Sequence, residues 1–326
     1  MNYLIFGSSG FIGGHLIDYI STQKNENSII FNFDIVNSEI TLVESIYTDV
    51  RKSIDYKIDN KYESIIYNLA AIHVTPGYLD SEYFETNVLG ASNICNFARL
   101  NNINTIVFTS SISVYGTSEE IKTEESLPLP NTAYGISKLN AEYIHKIWQA
   151  EDPINRKLII VRPGVVFGKN EKGNFTRLFR SLKKGFFFYP GRKDTLKAAI
   201  YVKDLVRILY STSMNEKPGV LTLNLSYFPP PSIELICNSM CKVIGAKFPN
   251  LVLPSFFLKF IAGLIYQLAK IFGKKLNGIN PDRVKKLMIS TNVSGEKLAK
   301  SDYAIRFSLD EGLRDWYKDG NEKGLF

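Results

Sequence analysis

Tyr134 and Lys138, in "AYGISK", stand four residues apart, and on a helix that spacing puts a phenol and an ammonium on one face. A free phenol with a pKa of about 10 is only roughly 0.1% ionised at neutral pH and makes a poor base. An ammonium about 5 Å away contributes roughly 3 kcal/mol at an effective dielectric of about 20, or about two pKa units. Beside a positively charged cofactor, such a pair can move the proton of a carbinol near neutrality. Near the start of the chain, "YLIFGSSGFIGGHLIDYI" (residues 3–20) sets Gly7, Gly10 and Gly13 between an apolar run and a helical pattern. Glycines there let backbone N–H groups and a helix N-terminus approach a pyrophosphate. Asp34 closes the next apolar run, where a carboxylate can accept both ribose hydroxyls of an adenosine and repel a 2′-phosphate. The expected dinucleotide is NAD rather than NADP, and the expected chemistry is hydride transfer.

The elements that position these residues follow from hydrophobic patterning. "NYLIFG" (2–7), "IIFNFDI" (29–35), "SIIYNLA" (64–70), "TIVFTSS" (105–111) and "KLIIVRPG" (157–164) are apolar runs separated by helical patterns. Strands buried on both faces read this way, and their alternation with helices implies parallel, right-handed crossovers. The fold class expected is α/β, a Rossmann-like doubly wound parallel sheet with a smaller C-terminal substrate domain. Residues 1–165 form the dinucleotide-binding domain, to which 198–226 return as a helix and a strand. Residues 166–197 and 227–326, richer in turns, form the second domain.

Composition narrows the partners. At 326 residues with 45% hydrophobic and 13% aromatic content, the chain can bury a large core. Three scattered cysteines, Cys95, Cys237 and Cys241, make neither a disulfide framework nor a metal site, so no metal is expected and a reducing cytoplasm fits. No export signal precedes Tyr3. The net charge of +7 points to an acidic partner such as a phosphorylated small molecule. The lysine pairs Lys183-Lys184, Lys274-Lys275 and Lys285-Lys286 are dispersed, which argues against nucleic acid. "LPSFFLKFIAGLIYQLAKIFG" (253–273) approaches membrane-spanning length, but Lys259, Gln267 and Lys270 interrupt it. Lys259 and Lys270 fall on one stripe of an amphipathic helix. That helix packs on its own domain or, less favoured, touches a membrane surface or another subunit.

Taken together, these motifs resemble the extended short-chain dehydrogenase/reductase superfamily, in its branch of NAD-dependent nucleotide-sugar epimerases and dehydratases. "GSSGFIGGHL" is similar to the family's cofactor loop, which implies contacts from Gly7, Gly10, Phe11, Ile12 and Gly13. "TDVR" resembles its adenine-contacting segment, with Asp49 and Val50, and "YNLAA" its third-strand segment, with Leu69, Ala70 and Ala71. "TNVLGASN" supplies Asn87; "TSSISVYG" supplies Thr109 and Ser110 for the cofactor, Ser111 for catalysis and Ser113 for the substrate; "VRPGVVFG" supplies Pro163. The resemblance implies that Tyr134 takes the hydroxyl proton, Ser111 hydrogen-bonds the same oxygen, and Lys138 tunes the tyrosine and holds the nicotinamide ribose.

Departures from the family pattern choose among its reactions. Ile112 and Ser113 stand where the family's dehydratases have an Asp-Glu pair, so dehydration is not expected. Val165 replaces an asparagine of galactose-type epimerases, and Lys197 and Tyr201 replace an Arg-x-x-x-His. Lys197, Asn174 and Arg283 are left as candidates to grip a diphosphate, and His73 to face the substrate, with the segment from Thr75 to Glu82 at its border. The leading expectation is a C4 epimerase of a UDP-hexose or UDP-N-acetylhexosamine in polysaccharide biosynthesis. Its rivals are a reductase of a 4-keto nucleotide sugar, a dehydrogenase of a sterol-like or other lipophilic alcohol, and a non-catalytic dinucleotide sensor. Helices near 87–100 and 134–150 resemble those that pair two subunits, which implies a homodimer.

Overall fold

The computed structural model of the chain describes residues 1–36, 43–59, 61–74, 77–254, 256 and 288–321. Arg283, Thr75 and nearly all of the apolar 253–273 segment lie outside these residues. Each of the apolar runs forms a strand: β1 (Asn2–Phe6), β2 (Ile29–Asp34), β4 (Ser64–Asn68), β5 (Thr105–Thr109) and β7 (Lys157–Pro163). Two more strands complete the sheet, β3 (Glu44–Tyr47) and β11 (Gly219–Leu225), in the order β11-β7-β5-β4-β1-β2-β3. All of its pairings are parallel. β3 has no apolar signature because it is the exposed edge, with no buried residue.

The strand side chains alternate between two cores. Tyr3 and Ile5 of β1, Val107 of β5 and Ile159 and Val161 of β7 face one side, where α1 (Phe11–Gln23) packs against α6 (Val202–Asn215). Leu4, Phe6, Ile106, Phe108, Leu158 and Ile160 face the other, where α3 (Gly90–Leu100) packs against α4 (Ala133–Ala150). On that side Phe6 stacks on Phe33 at 4.6 Å and meets Phe97 edge-on at 5.7 Å, arrangements that suit the charge distribution of aromatic rings. The chain leaves β1 toward β2 and β3, then crosses to β4 on its other side. That reversal opens a crevice beyond the carboxyl ends of β1 and β4, the place where open α/β sheets bind ligands.

Smaller elements stitch the rest of the chain to this frame. β8 (Val165–Phe167) pairs with β10 (Ala199–Tyr201), β9 (Tyr189–Pro190) with β12 (Val252–Leu253), and β6 (Ser118–Lys122) with β13 (Thr291–Val293). The terminal helix Leu309–Asn321 buries Trp316 against Phe167 and Phe179. Among the described residues no helix is long and apolar enough to cross a membrane.

Candidate active site

The glycine turn closes over the crevice. Gly7, at φ +81, lies so near the end of β4 that a Cβ there would come within 2.7 Å of the Ala70 nitrogen; both the backbone angle and the contact require glycine. Gly10 caps α1 with no side-chain hydrogen bond, so the first N–H groups of that helix present their positive end to the crevice. Gly13, in the first turn of α1, packs directly on Ser8. Asp34, ending β2, accepts from the backbone N–H of Ser9 at 2.9 Å and of Val36 at 3.1 Å. Each of its oxygens keeps acceptor capacity for a hydroxyl. Thr109 Oγ1, buried beneath this crevice, has no hydrogen-bond partner among the described residues. An uncapped helix start, an acidic ribose acceptor and an orphaned hydroxyl are a donor and acceptor set that fits a dinucleotide.

Ser111 and Tyr134 meet at the carboxyl end of β5. Ser111 caps a short 3₁₀ turn, Ile112–Tyr115, by accepting from the Ser113 N–H at 3.1 Å, and its hydroxyl donates to Ser113 Oγ at 3.1 Å. Thr132 caps α4 by accepting from the Gly135 N–H at 3.1 Å. A Cβ on Gly135 would lie 2.5 Å from the Ser113 carbonyl oxygen, so glycine lets the first turn of α4 reach the serine segment and brings the Tyr134 hydroxyl into a hydrogen bond with Ser111. The half-buried Tyr134 ring lies 6.3 Å from that of Tyr83.

Lys138 shares this face, but its Nζ donates to the Thr109 carbonyl at 2.8 Å and lies 4.8 Å over the Phe108 ring. Phe108 is backed in turn by the stacked ring of His145 at 4.2 Å. Burial pushes the Lys138 ammonium down to about 7 against the opposing charge of Glu142. Burial also pushes the Tyr134 phenol up to about 12, with the Ser111 hydrogen bond working the other way. The pairwise lowering expected from sequence spacing is thus not the dominant influence on Tyr134: loss of hydration governs both groups and disfavours both charges.

The lysine carries a pH signature. Its pKa is about 7 in the fold and about 10.4 in an unfolded chain, so between these values unfolding takes up a proton and stability rises with pH. The difference in urea-unfolding free energy between wild type and Lys138→Met is expected to climb from pH 7.5 to 9.5 by about 1.4 kcal/mol per pH unit. A difference independent of pH over that window would refute the assignment.

Behind the site lies a buried polar chain that sequence reading did not single out. Glu142, one turn after Lys138 on α4 and fully buried, accepts from Ser110 Oγ at 2.6 Å, Arg162 Nε at 2.9 Å and Arg162 Nη2 at 2.6 Å. Arg162 Nη1 donates to Tyr115 Oη at 2.6 Å, and that hydroxyl donates to Asn224 Oδ1 at 2.9 Å. Burial opposes the Arg162 charge, but the Glu142 hydrogen bonds and charge outweigh it and hold the guanidinium above its ordinary range. The signal available in sequence was a lone arginine inside the apolar run "KLIIVRPG", which a central strand tolerates only when it is paired. Ser110, expected at the cofactor, donates its hydroxyl to Glu142.

The remaining candidates divide. Asn87, buried in a π-helical segment Phe84–Leu89, accepts from the Ile72 N–H at 2.9 Å and donates to the Ile72 carbonyl at 3.1 Å and to Ser137 Oγ at 2.9 Å. It ties the loop after β4 to α4, so its amide positions the crevice wall. Leu69 and Ala70 lie in that wall beside the glycine turn, with Leu69 donating its N–H to the Phe6 carbonyl at 2.9 Å. His73, exposed on the same loop, is held below its ordinary value by loss of hydration and then by the Lys138 charge. Asp49 is engaged by Arg51 in a forked pair, with its shorter contact at 2.7 Å, and the neighbouring Val50 is buried against Gly90. Pro163 ends β7 beside Leu225. Ala198 packs with Ile112, Val114 and Tyr115, which brings its neighbour Lys197 toward the serine segment. Lys197 Nζ donates to the Ile289 carbonyl at 2.8 Å, and burial pushes it down to about 8. Asn174 begins α5 (Asn174–Lys183), is exposed, and accepts from Arg177 at 3.2 Å within its own helix.

A doubly wound parallel sheet with a glycine turn at its switch point and a Ser-Tyr-Lys cluster beside it defines a dinucleotide-dependent enzyme of the extended short-chain dehydrogenase/reductase type. Residues 3–221 match the NAD dependent epimerase/dehydratase family, and the chain belongs to that family, with NAD as its cofactor. Among curated proteins it is 28% identical over 315 residues to the N-acetyl-alpha-D-glucosaminyl-diphospho-ditrans,octacis-undecaprenol 4-epimerase of Escherichia coli O157:H7, covering 96% of this chain and 93% of that one. It is 28% identical over 190 residues to the UDP-glucose 4-epimerase of Vibrio cholerae, covering 56% of this chain and 57% of that one. Among solved structures, the UDP-glucuronic acid 4-epimerase from Bacillus cereus in complex with NAD shares the fold, with a TM-score of 0.73, 18% identity and full coverage of both chains.

Proposed function

We propose that this chain is an NAD-dependent 4-epimerase of a hexose or N-acetylhexosamine carried on a diphosphate, and that the group beyond the diphosphate is a polyprenol. The observation that carries the polyprenol reading is coverage: likeness to the undecaprenol-linked relative runs over 96% of the chain, against 56% for the UDP-glucose 4-epimerase of Vibrio cholerae. Val165, Lys197 and Tyr201, where galactose-type enzymes carry other side chains, agree with an altered grip beyond the sugar. The second reading, a UDP-hexose or UDP-N-acetylhexosamine, is favoured by the 28% identity to that Vibrio enzyme over 190 residues.

In this proposal NAD, when bound, supplies reversible uptake of hydride at the carbinol carbon. The α1 N-terminus and Gly7, Gly10 and Gly13 hold its diphosphate, and Asp34 holds its adenosine ribose. Tyr134 takes the C4 hydroxyl proton and later returns it, while Ser111 hydrogen-bonds the same oxygen in both states. Lys138, beside Thr109, steadies the ribose next to the reacting carbon. Rotation of the keto sugar between the two transfers gives the epimer. The division into a cofactor part, 1–165 with 198–226, and a substrate part, 166–197 with 227–326, belongs to the same reading.

The test supplies purified protein and catalytic NAD with two substrates, a short-chain polyprenyl-diphospho-N-acetylglucosamine in detergent and UDP-N-acetylglucosamine, and follows the sugar protons by NMR. A 4-epimer from the polyprenyl substrate is expected. Epimerisation of the UDP sugar alone would transfer the function to the second reading, and turnover of neither would refute epimerisation of this sugar.

A homodimer is also proposed. Ile136, Tyr143 and Ile147 are 39%, 52% and 62% exposed and share one stripe of α4. Light scattering is expected to give twice the chain mass, and Ile147→Glu to reduce it to one; a wild-type monomer at working concentration would overturn the dimer.

A further inference from the structure

A second surface of the molecule combines exposed aromatic rings with exposed lysine and arginine. The segment "GFFFYP" (185–190) alternates: Phe187 packs inward, edge-on to Tyr189 at 5.2 Å, and Tyr189 is fully buried, while Phe186 is 83% and Phe188 40% exposed. β9 pairs with β12 in parallel, and the Tyr189 N–H donates to the Leu251 carbonyl at 2.8 Å. That pairing sets Leu251, 59% exposed, beside the two phenylalanines, with Phe248, 51% exposed, preceding it. The loop is pinned to α5: the Phe186 N–H donates to the Ser181 carbonyl at 3.1 Å and Ser181 Oγ donates back to the Phe186 carbonyl at 2.6 Å. The rings are therefore held outward by a structured turn.

The chain that carries these rings is rich in basic residues, with Glu234 pairing Lys193 at 3.4 Å at its edge. Sequence 172–193 and sequence 235–256 contain no aspartate or glutamate. α5 buries Phe175, Phe179 and Leu182 and exposes Arg177, Arg180 and Lys183, with Lys184 following. It packs against α7 (Ile233–Ile244), whose end adds exposed Lys242 and, shortly after, Lys247. Exposed phenylalanine and leucine near the exposed side chains of Arg177, Arg180, Lys183, Lys184, Lys242 and Lys247 complement the interface of an anionic bilayer, where rings enter the acyl boundary and cations meet phosphate. The loop leading into α5 is tied to α1 through a hydrogen bond between His15 Nε2 and the Lys169 carbonyl at 2.8 Å.

We propose that the α5–β9–β12 face docks the enzyme on an anionic membrane surface. The proposal extends the polyprenol reading and rests on it for its purpose, because a polyprenol-linked sugar is held in a bilayer. Docking itself is measured without substrate.

The experiment floats the full chain with vesicles of phosphatidylcholine alone and of phosphatidylcholine with phosphatidylglycerol. Wild type is expected to bind the anionic vesicles and to be released by salt. Lys183→Gln with Lys184→Gln should weaken binding about thirtyfold, from the contribution of two lysines near an anionic surface. Phe186→Ser with Phe188→Ser should weaken it about tenfold or more. All four positions are exposed, so both variants should keep wild-type melting and turnover of a short-chain polyprenyl substrate in detergent. Absence of wild-type binding, or binding unchanged in both variants, overturns the proposal. So does a fall in oligomer mass in the phenylalanine variant without vesicle binding, which would make the face a contact between copies. Vesicle binding lost in the variants, together with no turnover of any polyprenyl substrate, would uphold the surface and refute the polyprenol reading separately.

Discussion

Tyr134→Phe is expected to lower the rate of epimerisation by about a hundredfold to ten-thousandfold, the usual contribution of a positioned acid-base group, while NAD affinity changes little. The substitution keeps the ring that lies 6.3 Å from Tyr83 and removes only the oxygen hydrogen-bonded to Ser111. Because burial pushes the phenol up to about 12, the resting enzyme holds this proton firmly at neutral pH. Its removal depends on positive charge brought by the oxidised cofactor, because Lys138, pushed down to about 7, gives up its own charge across the neutral range. Wild-type single-turnover oxidation should therefore accelerate with pH across the neutral range, and the variant should lose that dependence. A variant within tenfold of wild type, with the pH profile intact, would remove Tyr134 from the proton path.

The second large effect is on stability. Glu142→Gln leaves the shape of α4 intact but strands the Arg162 guanidinium, whose side chain is 4% exposed, without its counter-charge. Breaking one member of a buried pair costs about 3–5 kcal/mol, a large share of the stability of a domain. Urea unfolding followed by circular dichroism is expected to show that loss. The double change Glu142→Leu with Arg162→Met should restore most of it, since apolar residues of similar volume often replace such pairs without penalty. The double variant still lacks the acceptor for Ser110 Oγ, so a turnover deficit persisting after stability returns would show that the pair also positions the end of β5. A single variant as stable as wild type would contradict the pair's structural weight.

The strands, their parallel order and the glycine turn could be read from the chain because each is written in local pattern: continuous apolar runs, a strand-to-helix glycine spacing and an i, i+4 pair on a helix start. β3 escaped because an exposed edge strand imposes no hydrophobic signature. At the site, sequence identified Ser111, Tyr134 and Lys138, and the fold brings all three to the end of β5. What sequence could not supply was the acceptor each group finds. Lys138 meets the Thr109 carbonyl, Ser110 meets Glu142, and Arg162 joins α4 to β11 through Tyr115 and Asn224. Those contacts link residues 29 to 109 positions apart, and only the closed sheet makes them neighbours. Residue types and their spacing thus determined which groups could do chemistry. The tertiary structure decided their protonation, because loss of hydration is set by everything packed around a group and not by its nearest neighbours in the chain.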